Sequence, residues 1–273
     1  MSAAASAYEP PPAMQRVDAE IAIAAKRRGE ATVLDRLYQR GSGKVRLPRG
    51  GSFEAVAINT AGGLTGGDLF RLRAEAGEGT NVTVTTQAAE RVYRSTGADA
   101  RVENRLIAEP GARLDWLPQE TILFDRARLS RRLEVEMAED AHLLAIESFV
   151  FGRAAMGETM ARGSVSDHWR IRRGGRLVFA DAVRIRGAVA ETLAAAACLG
   201  DARACATLLH VAPDAGDRLD ALRAALSPFE AGASAWNGLV TARIVALDGR
   251  TLRAALAAAL RVFRGDLPSV WNG

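Results

Sequence analysis

Four glycines and a terminal carboxylate make Asn59-Thr60-Ala61-Gly62-Gly63-Leu64-Thr65-Gly66-Gly67-Asp68 the most unusual run in the sequence. Glycine-rich loops cradle phosphates when Lys and then Ser or Thr follow the second glycine. Asp68 and Leu69 stand in those places, so the charge meeting a phosphate would have the wrong sign. A dinucleotide loop fails as well, because the spacing is Gly-Gly-x-x-Gly-Gly, with β signals on both sides and no helix following. What Gly62, Gly63, Gly66 and Gly67 offer is backbone freedom at positive φ and close approach of another segment or chain, with Asp68 presented at the end of the loop. A tight β turn is the plain alternative.

Carboxylates inside apolar runs carry more information. Glu147 lies in Leu143-Leu144-Ala145-Ile146-Glu147-Ser148-Phe149-Val150-Phe151. Burying it unpaired would be costly, so it requires an arginine, backbone donors, a cation or a wet channel. Glu120 follows Trp116-Leu117-Pro118-Gln119, and Glu158 follows Met156-Gly157. An arginine such as Arg153 would account for any one of these acids but explains the set less well. Two acids could also act as the acid and base of a β-stack glycoside hydrolase, with Asp68 and Glu147 as the pair.

Other chemistries find little support. Cys198 and Cys205 are spaced too widely for a zinc knuckle and read as ordinary buried thiols. His142, His168 and His210 are scattered, with no His-Glu-x-x-His pattern, and read as structural or surface residues. Gly163-Ser164-Val165-Ser166-Asp167 lacks the second glycine of a nucleophile elbow. No nucleophile has a credible base.

The elements that must position these residues follow from composition and periodicity. Of 273 residues, 48% are hydrophobic and 25% charged, which suffices for a core. The net charge of +4 is carried almost wholly by dispersed arginine, and aromatic content is 5%, so a nucleic-acid surface is not expected. Two cysteines suit a reducing compartment. No secretory signal and no run of about 18 apolar residues is seen, so a soluble, cytoplasmic protein without membrane contact is expected. Residues 1–15 are Ala/Pro-rich and predicted to be disordered, and residues 16–273 form one domain.

From about Val17 to Arg186 short segments alternate with Gly, Pro, Asn and Asp at the spacing of an all-β architecture. Val82-Thr83-Val84-Thr85 and Leu133-Glu134-Val135-Glu136-Met137 have period two and read as half-buried strands. Glu109-Pro110-Gly111 and Gly174-Gly175 read as hairpin breaks. Helices are predicted near 217–227 and 251–264, with a strand over 238–247 covered on both faces. Ala190 to His210 is ambiguous between helix and strand. No sequence repeat is visible by eye.

These residues resemble the urease accessory protein family UreD, also called UreH. Asn59 to Asp68 is similar to its Gly-Gly-x-x-Gly-Gly-Asp signature, and Thr85 to Ser95 to a block ending in Tyr93-Arg94-Ser95. Leu114 to Glu120 with Ile122-Leu123-Phe124 resembles a third block, and Phe151 to Glu158, containing Arg153 and Gly157, a fourth. Pro268-Ser269-Val270-Trp271 resembles the usual ending, with Ser269 where a basic residue is expected. The resemblance implies a mainly β fold, a helix-like stack of strands with two α-helices in the C-terminal half. It implies a non-enzymatic chain that joins a helical partner, UreF, and a GTPase, UreG, on apo-urease, and it leaves a homodimer within that complex open. GTP would be bound by UreG alone. No cofactor would be held permanently, and Ni²⁺ would be in transit. A protein that passes Ni²⁺ onward should hold it weakly with sparse oxygen ligands. On that basis Asp68, Glu147 and Glu158, with Glu120, are expected to line an internal wet path, with Tyr93 and Arg94 shaping its wall or a partner surface.

Overall fold

The computed structural model describes residues 16–153 and 156–271, and the leader expected to be disordered, residues 1–15, lies outside them. Period-two apolar strands need a second apolar face to bury against, and here two sheets supply it to one another. The first sheet holds β1 (Asp18–Arg28), β2 (Ala31–Arg40), β5 (Leu69–Ala76), β8 (Ala100–Ala108), β11 (Arg128–Met137), β13 (Arg162–Arg173) and β14 (Arg176–Ala188). Its order is β14-β13-β11-β8-β5-β1-β2. The second holds β3 (Gly43–Arg46), β4 (Phe53–Asn59), β6 (Asn81–Thr86), β9 (Arg113–Leu117), β12 (His142–Phe151), β15 (Ala204–Val211), β16 (Ala231–Trp236) and β17 (Leu239–Ala246), with the short β7 (Glu90–Val92) and β10 (Thr121–Leu123) beside β12.

The middle of each sheet is parallel because the chain winds as a coil, laying one strand in each sheet per turn: β5 then β6, β8 then β9, β11 then β12. Leu69, Arg101 and Ser130 therefore stack in register, as do Asn81, Arg113 and His142. The first sheet is closed at both edges by antiparallel hairpins, β1–β2 and β13–β14. The expected stack of β-strands is thus present. Its repeat lies in strand position rather than in residue identity, which is why no repeat is visible in the letters.

Two further expectations are corrected. Glu109-Pro110-Gly111 is not a hairpin turn: it carries the chain from β8 in one sheet to β9 in the other, with Gly111 at φ +64. Gly174-Gly175 does close the β13–β14 hairpin. Thr83 and Thr85 do not face solvent, because helices and the C-terminal segment cover the outer face of the second sheet. Thr85 Oγ1 satisfies itself on the Leu117 carbonyl at 2.6 Å.

That outer layer contains α2 (Leu219–Leu226) and α3 (Gly249–Phe263), whereas α1 (Val189–Leu193) packs beside β13 and β14 and sends Val189 and Leu193 into the core between the sheets. Asp248 caps α3 by accepting from the Thr251 amide at 2.7 Å, and Leu252, Ala255, Leu256, Ala259 and Leu260 form its buried stripe. The ambiguous alanine-rich stretch divides into α1 and the central strand β15. Cys198, expected to be buried, is exposed, and Cys205 is partly covered. Among the described residues no helix is long and apolar enough to cross a membrane.

Candidate functional site

Strand alternation decides which side chains enter the space between the sheets. Along β11 the inward set is Leu129, Arg131, Leu133, Val135 and Met137, so one arginine stands in an otherwise apolar row. Its register neighbour on β13 is Asp167, in the row Val165, Asp167, Trp169, Ile171. Across the gap, β12 directs Glu147 inward with Leu143, Ala145 and Phe149.

These three charges meet. Arg131 donates to both Asp167 oxygens, Nε to Oδ1 at 2.8 Å and Nη2 to Oδ2 at 3.0 Å. Its Nη1 donates to Glu147 Oε2 and, at 3.2 Å, to Thr121 Oγ1. Glu147 Oε1 accepts the Trp116 indole N–H at 2.9 Å, and the guanidinium lies 4.3 Å from the Phe149 ring centre. One cation thus serves two buried carboxylates. Burial, reinforced by the Asp167 charge and opposed by Arg131, pushes the Glu147 carboxyl above its ordinary range. Asp167 is held bidentately by the same guanidinium.

A cavity of about 190 Å³ connects this cluster with the surface. Its lining runs from the exposed Gly62, Gln87 and Ala88 to the buried Trp116, Arg131 and Glu147. Near the outer end stands Glu90, whose carboxylate accepts from Asn59 Nδ2 at 3.3 and 3.2 Å. Burial pushes the Glu90 carboxyl up to about 7, against the Asn59 hydrogen bond that pulls it down. The short β7–β10–β12 ladder sets Glu90, Thr121 and Phe149 side by side, with Glu147 two residues before Phe149 on β12.

The glycine loop forms the outer wall. Gly62 and Gly63 adopt φ +76 and +146, and the Tyr93 hydroxyl donates to the Gly62 carbonyl at 3.1 Å. A Cβ at Gly63 would meet the Tyr93 ring at 2.4 Å, and one at Gly66 would meet Ser95 Oγ at 2.0 Å. The close approach expected of the glycine pairs is made to a segment of the same chain. Asp68 is buried and accepts from the Val17 amide at 2.8 Å and the Thr65 amide at 2.7 Å, one on each oxygen. Asp68 does not line the cavity that Glu147 enters, which ill suits an acid–base pair of the two.

Of the four predicted acids, Glu147 is the one that lines the cavity. Glu158 lies at the surface, paired with Arg153 and accepting from the Asp125 amide at 3.4 Å. Gly157 precedes it at φ +67. Glu120 is 3.9 Å from Arg253, a residue whose guanidinium also holds Gln119 and the Val270 carbonyl. Tyr93 and Arg94 join Phe124, Arg153 and Glu158 in a shallow exterior depression. Ser269, where a basic residue was expected, donates from its amide and hydroxyl to Glu54. Sequence reasoning missed Glu90, Arg131 and Asp167. The last two were detectable by extending the period-two pattern of β11 and β13, which puts a charge on an apolar face.

The described residues thus form a coiled two-sheet β-stack whose internal cavity is lined by the two acids Glu90 and Glu147. The family model described as UreD urease accessory protein matches residues 17–272. The chain is 51% identical over 261 residues to the urease accessory protein UreD of Xanthobacter autotrophicus, covering 94% of this chain and 90% of that protein. It is 49% identical over 272 residues to UreD of a Methylobacterium species, covering 96% of both chains. It is likewise 49% identical over 248 residues to UreD of Azorhizobium caulinodans, covering 89% and 91%. The chain belongs to the UreD urease accessory protein family.

Proposed function

We propose that this chain acts in urease maturation as a non-enzymatic subunit that docks on apo-urease with UreF and UreG, and that Ni²⁺ moves through its internal cavity. The observation that carries the reading is the pair Glu90 and Glu147, two carboxyls raised by burial and set along one cavity. A carboxyl that titrates near neutral pH exchanges its proton for a divalent ion at small cost. Arg131 beside Glu147 repels the ion and keeps its stay short, as transit requires. One water needs only about 10–15 Å³ of such space, so the cavity accommodates a hydrated ion. In this reading Asp68 braces the loop at the entrance, Glu120 stands next to the lining residue Gln119, and Glu158 lies off the path in the exterior depression. Tyr93, Arg94 and Arg153 belong to the exterior face available to a partner. The compartment is the cytoplasm, where Cys198 and Cys205 stay reduced.

The test is nickel loading of apo-urease by purified complexes carrying Glu90→Gln or Glu147→Gln. Reduced nickel per urease active site, with UreF and UreG still co-purifying, supports the path. Unchanged loading would leave a scaffold with no ion path, and loss of the complex would assign the cluster to assembly.

A further inference from the structure

The sequence separates His142, His210 and Asp214, yet the fold gathers them on the opposite face of the second sheet from Glu147. His142 opens β12, and β12 pairs antiparallel with β15, where His210 stands opposite Leu144. The two rings therefore project from one face as diagonal neighbours, with centres 6.4 Å apart. Asp214 follows on the turn that leaves β15, at the start of the 3₁₀ turn Ala215–Arg218. One donor atom from each residue lies within 4.8 Å of the other two.

We infer that His142, His210 and Asp214 form a surface-accessible site for a late first-row divalent ion such as Ni²⁺ or Zn²⁺. The site stands apart from the cavity of the proposed path.

Four observations support it. His210 Nδ1 is 3.0 Å from the Leu143 carbonyl oxygen; donating its proton there leaves Nε2 as the free lone pair, the arrangement by which an outer hydrogen bond orients a metal-binding imidazole. The Phe263 ring packs 4.7 Å from the His210 ring and fixes its plane. Asp214 occupies a cap position without using its carboxylate there, and His142 takes no hydrogen-bond partner among the described residues, so both are available. Finally, two imidazoles and one carboxylate are a borderline donor set that favours late transition metals over Mg²⁺ or Ca²⁺.

Metal–donor distances of about 2.1 Å place donors roughly 3 to 4 Å apart. The cluster, whose donors lie within 4.8 Å of one another, must therefore close by about 1 to 2 Å, which rotation of the exposed Asp214 side chain supplies. Arg113 and Arg173 face the cluster and oppose a cation, whereas Asp140 and Asp214 favour one. That near balance makes a weak, reversible site, with open coordination positions left to water.

The test uses the full chain, stripped with a chelator and titrated with Ni²⁺ alone in excess Mg²⁺ by calorimetry. His142→Ala and Asp214→Ala, both away from the core, are expected to weaken one Ni²⁺ site at least tenfold while thermal unfolding of the metal-free protein is unchanged. In proton NMR, Ni²⁺ should broaden the His142 and His210 ring signals and spare His168, whose Nε2 accepts from Arg184 at 3.2 Å. Wild-type affinity in His142→Ala, or competition by Mg²⁺, overturns the site. A site lost in Glu147→Gln but kept in His142→Ala would move the ion to the cavity and overturn it equally. Urease activation is not needed for any of these readings, so failure of the cavity path leaves this test intact.

Discussion

Arg131 of the first sheet is hydrogen-bonded to Glu147 of the second, joining the two layers through the core by a charged contact. Both side chains are 4% exposed, so the contact is shielded from salt and water. Its energetic weight is asymmetric, because the cluster holds one cation and two acids.

Arg131→Met should be the costlier change. It strands Glu147 and Asp167 in the core, and removing one partner from a buried ion cluster costs about 3–5 kcal/mol. Glu147→Gln keeps an acceptor for Arg131 and relieves the excess negative charge, so a loss under about 1.5 kcal/mol is expected. Urea unfolding at pH 7 measures both, and equal losses would refute the asymmetry.

The Glu90 carboxyl, raised by burial to about 7 from 4.5, binds more protons in the folded than in the unfolded state between those values. Its contribution to stability is full below about pH 4.5 and is lost as pH rises through 7. His210, pushed down by burial to about 4, acts in the opposite sense, so the total curve mixes the two. The difference between wild type and Glu90→Gln isolates the acid. Wild type should lose stability relative to the variant from pH 4.5 to 7, and a flat difference would contradict the burial of Glu90.

At the loop, Gly63→Ala should cost more than Gly62→Ala. Both positions have positive φ, but Gly62 has open space where Gly63 meets the Tyr93 ring and the Arg91 carbonyl. Roughly 1 kcal/mol is expected for Gly62→Ala from backbone strain alone. About 2–4 kcal/mol is expected at Gly63, where the ring must also move. Thermal unfolding of the two variants gives the ranking, and Tyr93→Ala should soften the Gly63 penalty.

Trp271→Ala should destabilise the outer layer by about 3–5 kcal/mol, the usual range for a buried tryptophan. The indole is 5% exposed, donates to the Leu117 carbonyl at 3.1 Å, and lies under the Arg253 guanidinium. Amide exchange in α3 should accelerate in the variant, and unchanged protection would show that the helix packs without it.

The strands, the C-terminal helices and the glycine loop were legible because each rests on local periodicity or turn chemistry. The partner of Glu147 was not, since Arg131 approaches it from another sheet and nothing in the letters fixes which coil faces which. Arg153, adjacent to the apolar run in sequence, pairs with Glu158, one of the acids it could account for, and not with Glu147. Glu90 sits inside the Thr85 to Ser95 block without a periodic pattern to single it out, and only the pairing of β7 with β10 sets it beside the cavity. His142 and His210 looked scattered because only antiparallel pairing of β12 with β15 makes them neighbours.

Ser269 grips Glu54 across 215 positions of chain, and Trp271 reaches Leu117 across 154. Closures between such remote points come late in any conformational search, because their entropy must be met before their contacts form. Renaturation should accordingly be sluggish, and half-wound coils with open strand borders should linger long enough to stick to one another.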